Sequence, residues 1–321
     1  MPVRWPDAVD HILDGDQALV LAYATPAHGV VLSPVTNFAL RDRAGGLVAA
    51  VNTSVGMWQK LDRVRSNPNV ALAYHTRRHG RSARPEYVLV QGRASLTDPH
   101  PRYLDATPER RAAWERAAAG SPHGPEWWLR AWHERTEIWV DVERIVVWPD
   151  LACAGEPVVH GSPLPDGLPE SQRPPRGGTA PRVRVERAAR RAGRLEDVLL
   201  GWIGADGLPA VAPVAIAGAG ADGIALEAPA FVPPGGRRAG LTAHSFERYV
   251  VGHEQRLHTG WLQADGDQVL YAPHTERGYR LPASRLAYAL GSGFVTRRGY
   301  SEAQRRGLTA GAGTRSAGSG P

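Results

Sequence analysis

Lys60 is the only lysine in a chain whose other 37 basic residues are all arginine. The abundance of alanine, glycine and proline beside this arginine excess reflects GC-rich coding, so the lysine invites a chemical reason. A compact ammonium on a flexible stem suits a point contact with a phosphate group. Other candidates for the same contact lie nearby in the chain. Arg41 ends one short apolar run, and Asn52-Thr53-Ser54 ends the next. The N–H groups of Val55 and Gly56 fall at the start of a helical pattern. A strand-end guanidinium, two small hydroxyls, a helix-borne ammonium and open backbone N–H groups would meet a dianionic phosphate with charge and donors together. The plainer alternative makes Arg41 a surface charge and lets Thr53 and Ser54 merely cap the helix.

Other chemical signals are weaker. Gly218-Ala219-Gly220-Ala221-Asp222-Gly223 satisfies G-x-G-x-x-G, but a dinucleotide site needs a helix next. Ile224-Ala225-Leu226-Glu227-Ala228-Pro229 follows instead, which is short, alternating and proline-broken, so a hairpin turn is expected. The run Pro233 to Leu241, with Arg237 and Arg238, offers either a second anion site or a solvated loop. His244, His253, His258 and His274 have no short metal-ligand spacing and no cysteine beside them. No metal site is expected from them, and a haem ligand among them stays open. Trp127, Trp128 and Trp132 read as core or lid. No G-x-S-x-G and no nucleophile–base pair is readable.

The elements that must position these groups are mostly strands. Short apolar runs at 19–24, 38–40, 47–51, 70–75, 87–91 and 138–142, with turn residues between them, predict a barrel or sandwich. Two helices interrupt the series. One spans 57–66, with Met57, Leu61 and Val64 on one face and a stop at Asn67-Pro68. The other spans 108–119, with Thr107 as its N-cap and Pro108 in the first turn.

The second half repeats the opening of the first. Leu21-Ala22-Tyr23 precedes Pro34-Val35 by the same interval that separates Leu200-Gly201-Trp202 from Pro213-Val214. Gln91-Gly92-Arg93-Ala94 has a counterpart in Thr259-Gly260-Trp261-Leu262. Two copies of one barrel are therefore expected: residues 1–160, a Pro/Gly-rich linker over 161–181, a second and degenerate copy over 182–305, and a disordered tail over 306–321.

Four pieces of this text, Val51-Asn52-Thr53-Ser54, Lys60-Leu61, Asn67-Pro68-Asn69-Val70 and Val90-Gln91-Gly92-Arg93-Ala94, in this order resemble the pyridoxamine 5′-phosphate oxidase family. The resemblance spans roughly residues 15–150. It implies a mainly β fold, a β-barrel with accessory helices, built here as two tandem split β-barrel domains. It further implies FMN between barrels, with F420 or haem as alternatives, and an oxidoreductase whose substrate is unassigned, or else a carrier or sensor. Carried over, Lys60 and Arg41 are the phosphate cations, and Asn52, Thr53 and Ser54 lie beside the phosphate. Gln59 stands where the family often has an arginine. Thr36 and Tyr87 stand where an arginine and a glutamine approach the flavin. No counterpart of the family's pyridoxal-phosphate-binding Trp and Arg is found, so that substrate is not expected. The cofactor cleft would lie between the two barrels as an intrachain pseudo-dimer, or in a homodimer.

Composition narrows the setting. The 321 residues carry 38 basic and 32 acidic side chains, a net charge of +6. Charges of both signs are spread along the chain and no arginine-rich run is interleaved with aromatics, so no nucleic-acid partner is expected. No apolar stretch suits a membrane span, no signal peptide is readable, and one cysteine, Cys153, forms no intrachain disulfide. A cytoplasmic protein acting on a small molecule is the expectation.

Overall fold

The computed structural model describes residues 1–117, 125–250, 252–281 and 285–310. Helix α1 (Asp7–Gly15) leads into a first sheet of β1 (Ala18–Ala24), β2 (Val30–Thr36), β3 (Leu40–Asp42), β4 (Leu47–Ser54), β5 (Asn69–Tyr74), β6 (Tyr87–Leu96) and β7 (Arg135–Trp148), with β8 (Val158–Gly161) pairing β7. Helix α2 (Trp58–Ser66) joins β4 to β5, while α3 (Pro108–Ala117) and α4 (Glu126–His133) lie between β6 and β7. Helix α5 (Val185–Ala192) then opens a second sheet of β9 (Asp197–Ile203), β10 (Pro209–Pro213), β11 (Ala215–Gly220), β12 (Gly223–Glu227), β13 (Gly235–Ser245), β14 (Glu254–Asp265) and β15 (Gln268–Arg280). A long final helix, α6 (Arg285–Arg305), follows.

Period-2 alternation explains how each strand is used. Leu19, Leu21 and Tyr23 of β1 enter the interior of the first barrel with Val70, Leu72, Val88, Val90, Ile138 and Val140. The alternate residues Val20 and Ala22 join Val30, Leu32, Ala71, Ala73, Tyr87 and Leu89 on the opposite face, where Leu199 and Val211 of the second sheet meet them. Both faces of β1 are therefore buried along its whole length. The second barrel has its own interior around Leu200, Trp202, Leu241, Leu262 and Tyr271.

The repeat is present at the level of topology. The first sheet runs β2-β1-β5-β6-β7-β4-β3 and the second β10-β9-β13-β14-β15-β12-β11, the same order strand for strand. Even the irregularities match: β7 and β15 each carry a bulge, at Glu143 and His274, opposite the sequence-matched glycines Gly92 of β6 and Gly260 of β14. A Cβ at Gly92 would lie 2.0 Å from the Asp141 carbonyl oxygen, and one at Gly260 would lie 2.2 Å from that of Ala272. The fold is two tandem antiparallel split barrels packed face to face. The G-x-G-x-x-G segment is the β11–β12 hairpin.

Three local expectations are corrected. Phe38 and Ala39 are not strand: Ala39 has φ 56°, and the Asn37 side chain ties the turn to the carbonyls of Leu13 and Asp16. The Pro233–Leu241 run is no anion site, because Arg237 is buried against the carbonyls of Pro169 and Pro234 and Arg238 reaches Gln172. Residues 306–310 are docked: Leu308 is buried and the Ala310 N–H donates to Glu134. The rest of the expected disordered tail, 311–321, and the end of the helix expected to reach 119 lie outside the described residues. Among the described residues no helix is long and apolar enough to cross a membrane.

The seam between the sheets depends on absent side chains. A Cβ at Gly240 would lie 2.5 Å from the Val30 carbonyl oxygen across the seam. Gly240→Ala is therefore expected to destabilise the fold by about 2 kcal/mol through overpacking. The control Gly218→Ala, with nothing within 4 Å, should stay within about 0.5 kcal/mol of the parent. Urea unfolding midpoints of the two variants check this.

Candidate functional site

Helix α2 starts after a 3-10 turn, Val55–Met57, and places Leu61 and Val64 in the core. Lys60, one residue before Leu61, is carried inward with them and is only 8% exposed. Among the described residues it has neither a hydrogen bond nor a carboxylate within ion-pair distance. Burial pushes its pKa from 10.5 down to about 8, and the Arg135 guanidinium pushes in the same direction. A desolvated, uncompensated ammonium costs several kcal/mol, which an anion would recover.

Arg135, at the start of β7, is the second cation of this pocket. Its Nε donates to Asn52 Oδ1 at 2.7 Å and its Nη1 to the Trp132 carbonyl at 3.2 Å. The guanidinium lies over the rings of Trp114 and Trp132, 5.4 and 5.0 Å from their centroids. Asn52 thus spends its oxygen on Arg135, while its buried Nδ2 has no partner. Glu137, opposite Asn52 on the β4–β7 ladder, is a buried carboxylate already committed to Arg110, Tyr103 and Trp139.

The second sheet closes the pocket. The Lys60 charge helps to lower the pKa of His253 to about 4, after burial itself. Among the described residues, His253 Nε2 and Gln255 Oε1 are buried without partners. Arg277 Nη1 donates to Gln59 Oε1 at 2.9 Å. Where Gln59 supplies no cation of its own, an arginine from the other sheet reaches it, which no local sequence signal announces.

The remaining expected site residues are dispersed. The Arg41 guanidinium is held by Asp10 and Asp14 of α1. Arg41 pairs with Val48 on β4, five residues from Thr53, or about 16 Å along the strand. The Ser54 hydroxyl donates to the Ala131 carbonyl and accepts from the Gly56 N–H, while the Val55 N–H donates to the Glu134 carbonyl. The donors expected for an anion are thus spent on capping the turn. Thr53 is buried, and alternation along β4 turns it to the opposite face from Asn52. Thr36 ends β2 opposite Ala18. The Tyr87 hydroxyl donates to the Val211 carbonyl at 2.7 Å, a bond that clamps the sheets together. Of the eight, Lys60 and Asn52 stay at the pocket, Arg135 and His253 are added, and Gln59 pairs with Arg277 on the exposed surface.

Helix α6 covers this end of the molecule. Its Ala303 packs with Val55 and Leu61, and a Cβ at Gly299 would lie 1.9 Å from the Gly56 carbonyl oxygen. The other end of the seam has diverged. There the β12–β13 connection is a loop around Pro229–Pro234 with no helix, so no lysine is delivered. A cavity of about 720 Å³ remains, lined by Trp148, Trp202 and Phe231, where Arg144 is neutralised by Asp206.

A third cluster sits midway along the seam. His75 follows β5, His244 lies on β13, and Asp197 pairs with His244 across β9. One ligand atom from each of the three lies within 4.8 Å of the others. Short-range spacing could not reveal it, because its members are distant in sequence.

No protein-family model matches this chain, and no curated protein does. Solved structures do. A haem binding protein from Mycobacterium smegmatis matches over 92% of this chain and 99% of its own, with 15% identity and a TM-score of 0.30. A pyridoxamine 5′-phosphate oxidase-related, FMN binding protein from Nostoc punctiforme matches over 45% of this chain and 84% of its own, with 14% identity and a TM-score of 0.32. General stress protein 26 from Bacillus anthracis matches over 44% and 91%, with 16% identity and a TM-score of 0.30. The chain is similar to split-barrel proteins at low identity, and its functional reading rests on its own residues.

The Lys60 charge has a testable signature. Its folded pKa lies below the unfolded one, so both states keep the proton below about pH 8 and the burial penalty is then constant. Between about pH 8 and 10 the folded state releases it first, so stability rises with pH across that window, by at most about 3 kcal/mol. Urea midpoints of the parent should climb relative to those of Lys60→Met, whose own curve lacks this component.

Proposed function

We propose that the chain is a flavin-binding protein that holds the phosphate of FMN at Lys60, Arg135 and Asn52, in the pocket closed by His253 and Gln255. The observation that carries this reading is the buried Lys60 ammonium, which has no carboxylate within ion-pair distance among the described residues and feels the added positive charge of Arg135. A phosphate there would satisfy Lys60 and the orphaned Asn52 amide together. Bound flavin would supply hydride or electron transfer. The chain's part is to hold the phosphate and to exclude water beneath α6. No residue is required as a general acid or base. The reading is an FMN-dependent oxidoreductase with an unassigned substrate.

Two other ligands fit parts of the same seam. F420 also carries a phosphate and would use the same cations. Haem is favoured by the buried His253 Nε2, which has no partner among the described residues. Either could be bound without turnover, as in a carrier or sensor.

Titration of purified protein with FMN, riboflavin, F420 and haem separates these. FMN is expected to bind and Lys60→Met to weaken it by about 10- to 100-fold, the worth of one charge-assisted bond. Riboflavin, lacking the phosphate, should bind the two proteins equally. FMN affinity of the parent should fall as pH rises past about 8, where the ammonium discharges. Equal loss of riboflavin would assign Lys60 a packing role and remove the reading, and a Soret band with no flavin binding would replace FMN by haem. Bleaching of bound FMN by NAD(P)H would distinguish an enzyme from a carrier.

A further inference from the structure

The two imidazoles at the middle of the seam hold corresponding places in the repeat. Leu21 of β1 pairs with Leu72 of β5, and Leu200 of β9 pairs with Leu241 of β13. His75 and His244 each lie three residues beyond their leucine. The same position of each half therefore meets its counterpart where the halves cross. Their Nε2 atoms are 2.8 Å apart, and both side chains are buried.

His75 is oriented as a metal ligand would be. Its Nδ1 is 3.0 Å from the Ala73 carbonyl oxygen, which can only accept, so Nδ1 carries the proton. The Nε2 lone pair then points into the seam. Imidazole held through its second nitrogen by a backbone carbonyl is the usual support of a metal-bound histidine. Asp197 adds a carboxylate whose buried Oδ2 has no hydrogen-bond partner among the described residues. The surrounding cations are committed elsewhere: Arg77 to Asp16, and Arg78 to Glu196.

We propose that His75, His244 and Asp197 form a binding site for one divalent first-row transition-metal ion, pinning the two barrels together at their seam. Metal–nitrogen bonds of about 2.1 Å with ligand nitrogens 2.8 Å apart subtend an angle of about 85° at the ion. That angle suits a six-coordinate ion better than tetrahedral zinc. Two histidines and one carboxylate on one face, with the other positions open, suit Fe²⁺, Co²⁺ or Ni²⁺. Burial lowers the pKa of both imidazoles, which keeps them in the neutral, ligating form. The three ligands are distinct from Lys60, Arg135 and Asn52, although the His244 ring lies 6.0 Å from that of His253, which makes the two sites neighbours.

The test uses the full chain, stripped with a chelator and titrated with Co²⁺, Ni²⁺ and Zn²⁺ chlorides. One Co²⁺ per chain is expected, with weak visible bands of a six-coordinate ion. The thermal midpoint should rise by about 4 °C at a hundredfold excess over Kd. Asp197→Asn and His244→Gln should each weaken Co²⁺ binding at least tenfold, while His258→Gln leaves it unchanged. Circular dichroism of each variant monitors folding, and Asp197→Asn alone decides if the buried histidine variant does not fold. Absence of Co²⁺ and Ni²⁺ binding, or binding indifferent to Asp197→Asn, would overturn the proposal and leave the pair as an imidazole–imidazole hydrogen bond.

Discussion

Two curved sheets can pack face to face only if the surface between them is both apolar and shallow. In this chain that surface is made from the second face of strands whose first face already lines a barrel. Val20, Ala22, Ala71 and Ala73 supply it from one side, and Gly201 and Gly240 let the other side approach until Leu32 and the Val30 carbonyl fill the space of a missing Cβ. Hydrogen bonds cross at its margins, from Tyr87 to Val211 and from Asn69 to Gly207. Every cluster of chemical interest lies along this seam, because only there do side chains from both repeats meet away from water.

Burial makes the polar groups at the seam consequential. An ammonium in water needs no partner, whereas the same group in a low-dielectric pocket beside Arg135 is a deficit awaiting an anion. Lys60 is brought into that position by Leu61 and Val64, whose burial forces the adjacent residue inward, and by α6, which covers the turn ahead of it. The repeated architecture allowed the two ends of the seam to part company. One keeps the helix and its lysine, while the other has a proline-rich loop, an internally neutralised arginine and an aromatic-lined cavity.

Much of the scaffold was legible in the linear text. The apolar runs marked six of the eight strands of the first sheet but missed β2 and β8 and the far ends of β6 and β7, and at Phe38-Ala39 a left-handed residue and the Asn37 side chain impose a turn. The matched spacing of Leu21 to Pro34 and Leu200 to Pro213 foretold the duplicated topology, and the glycines at 92 and 260 marked its shared bulge. The site was legible only in part. Lys60 stood out by its rarity, and Asn52 by its nearness to it. Arg41 misled because its salt bridge to Asp10 forms with a helix that strand order alone does not place beside it.

Local patterning, then, determined which segments become strands, that they come in two copies, and that one unusual cation rides a helix beside a strand end. It could do so because alternation, turn chemistry and helix capping act between residues close in the chain. The partners of that cation were settled by tertiary structure: Arg135 and His253 arrive from distant strands, Arg277 reaches Gln59, and the hydroxyls and N–H groups nearest in sequence turn to capping instead. The meeting of His75, Asp197 and His244 was decided in the same way. Nothing in the spacing of those three residues encodes it, since their proximity exists only once two folded repeats press their shared faces together.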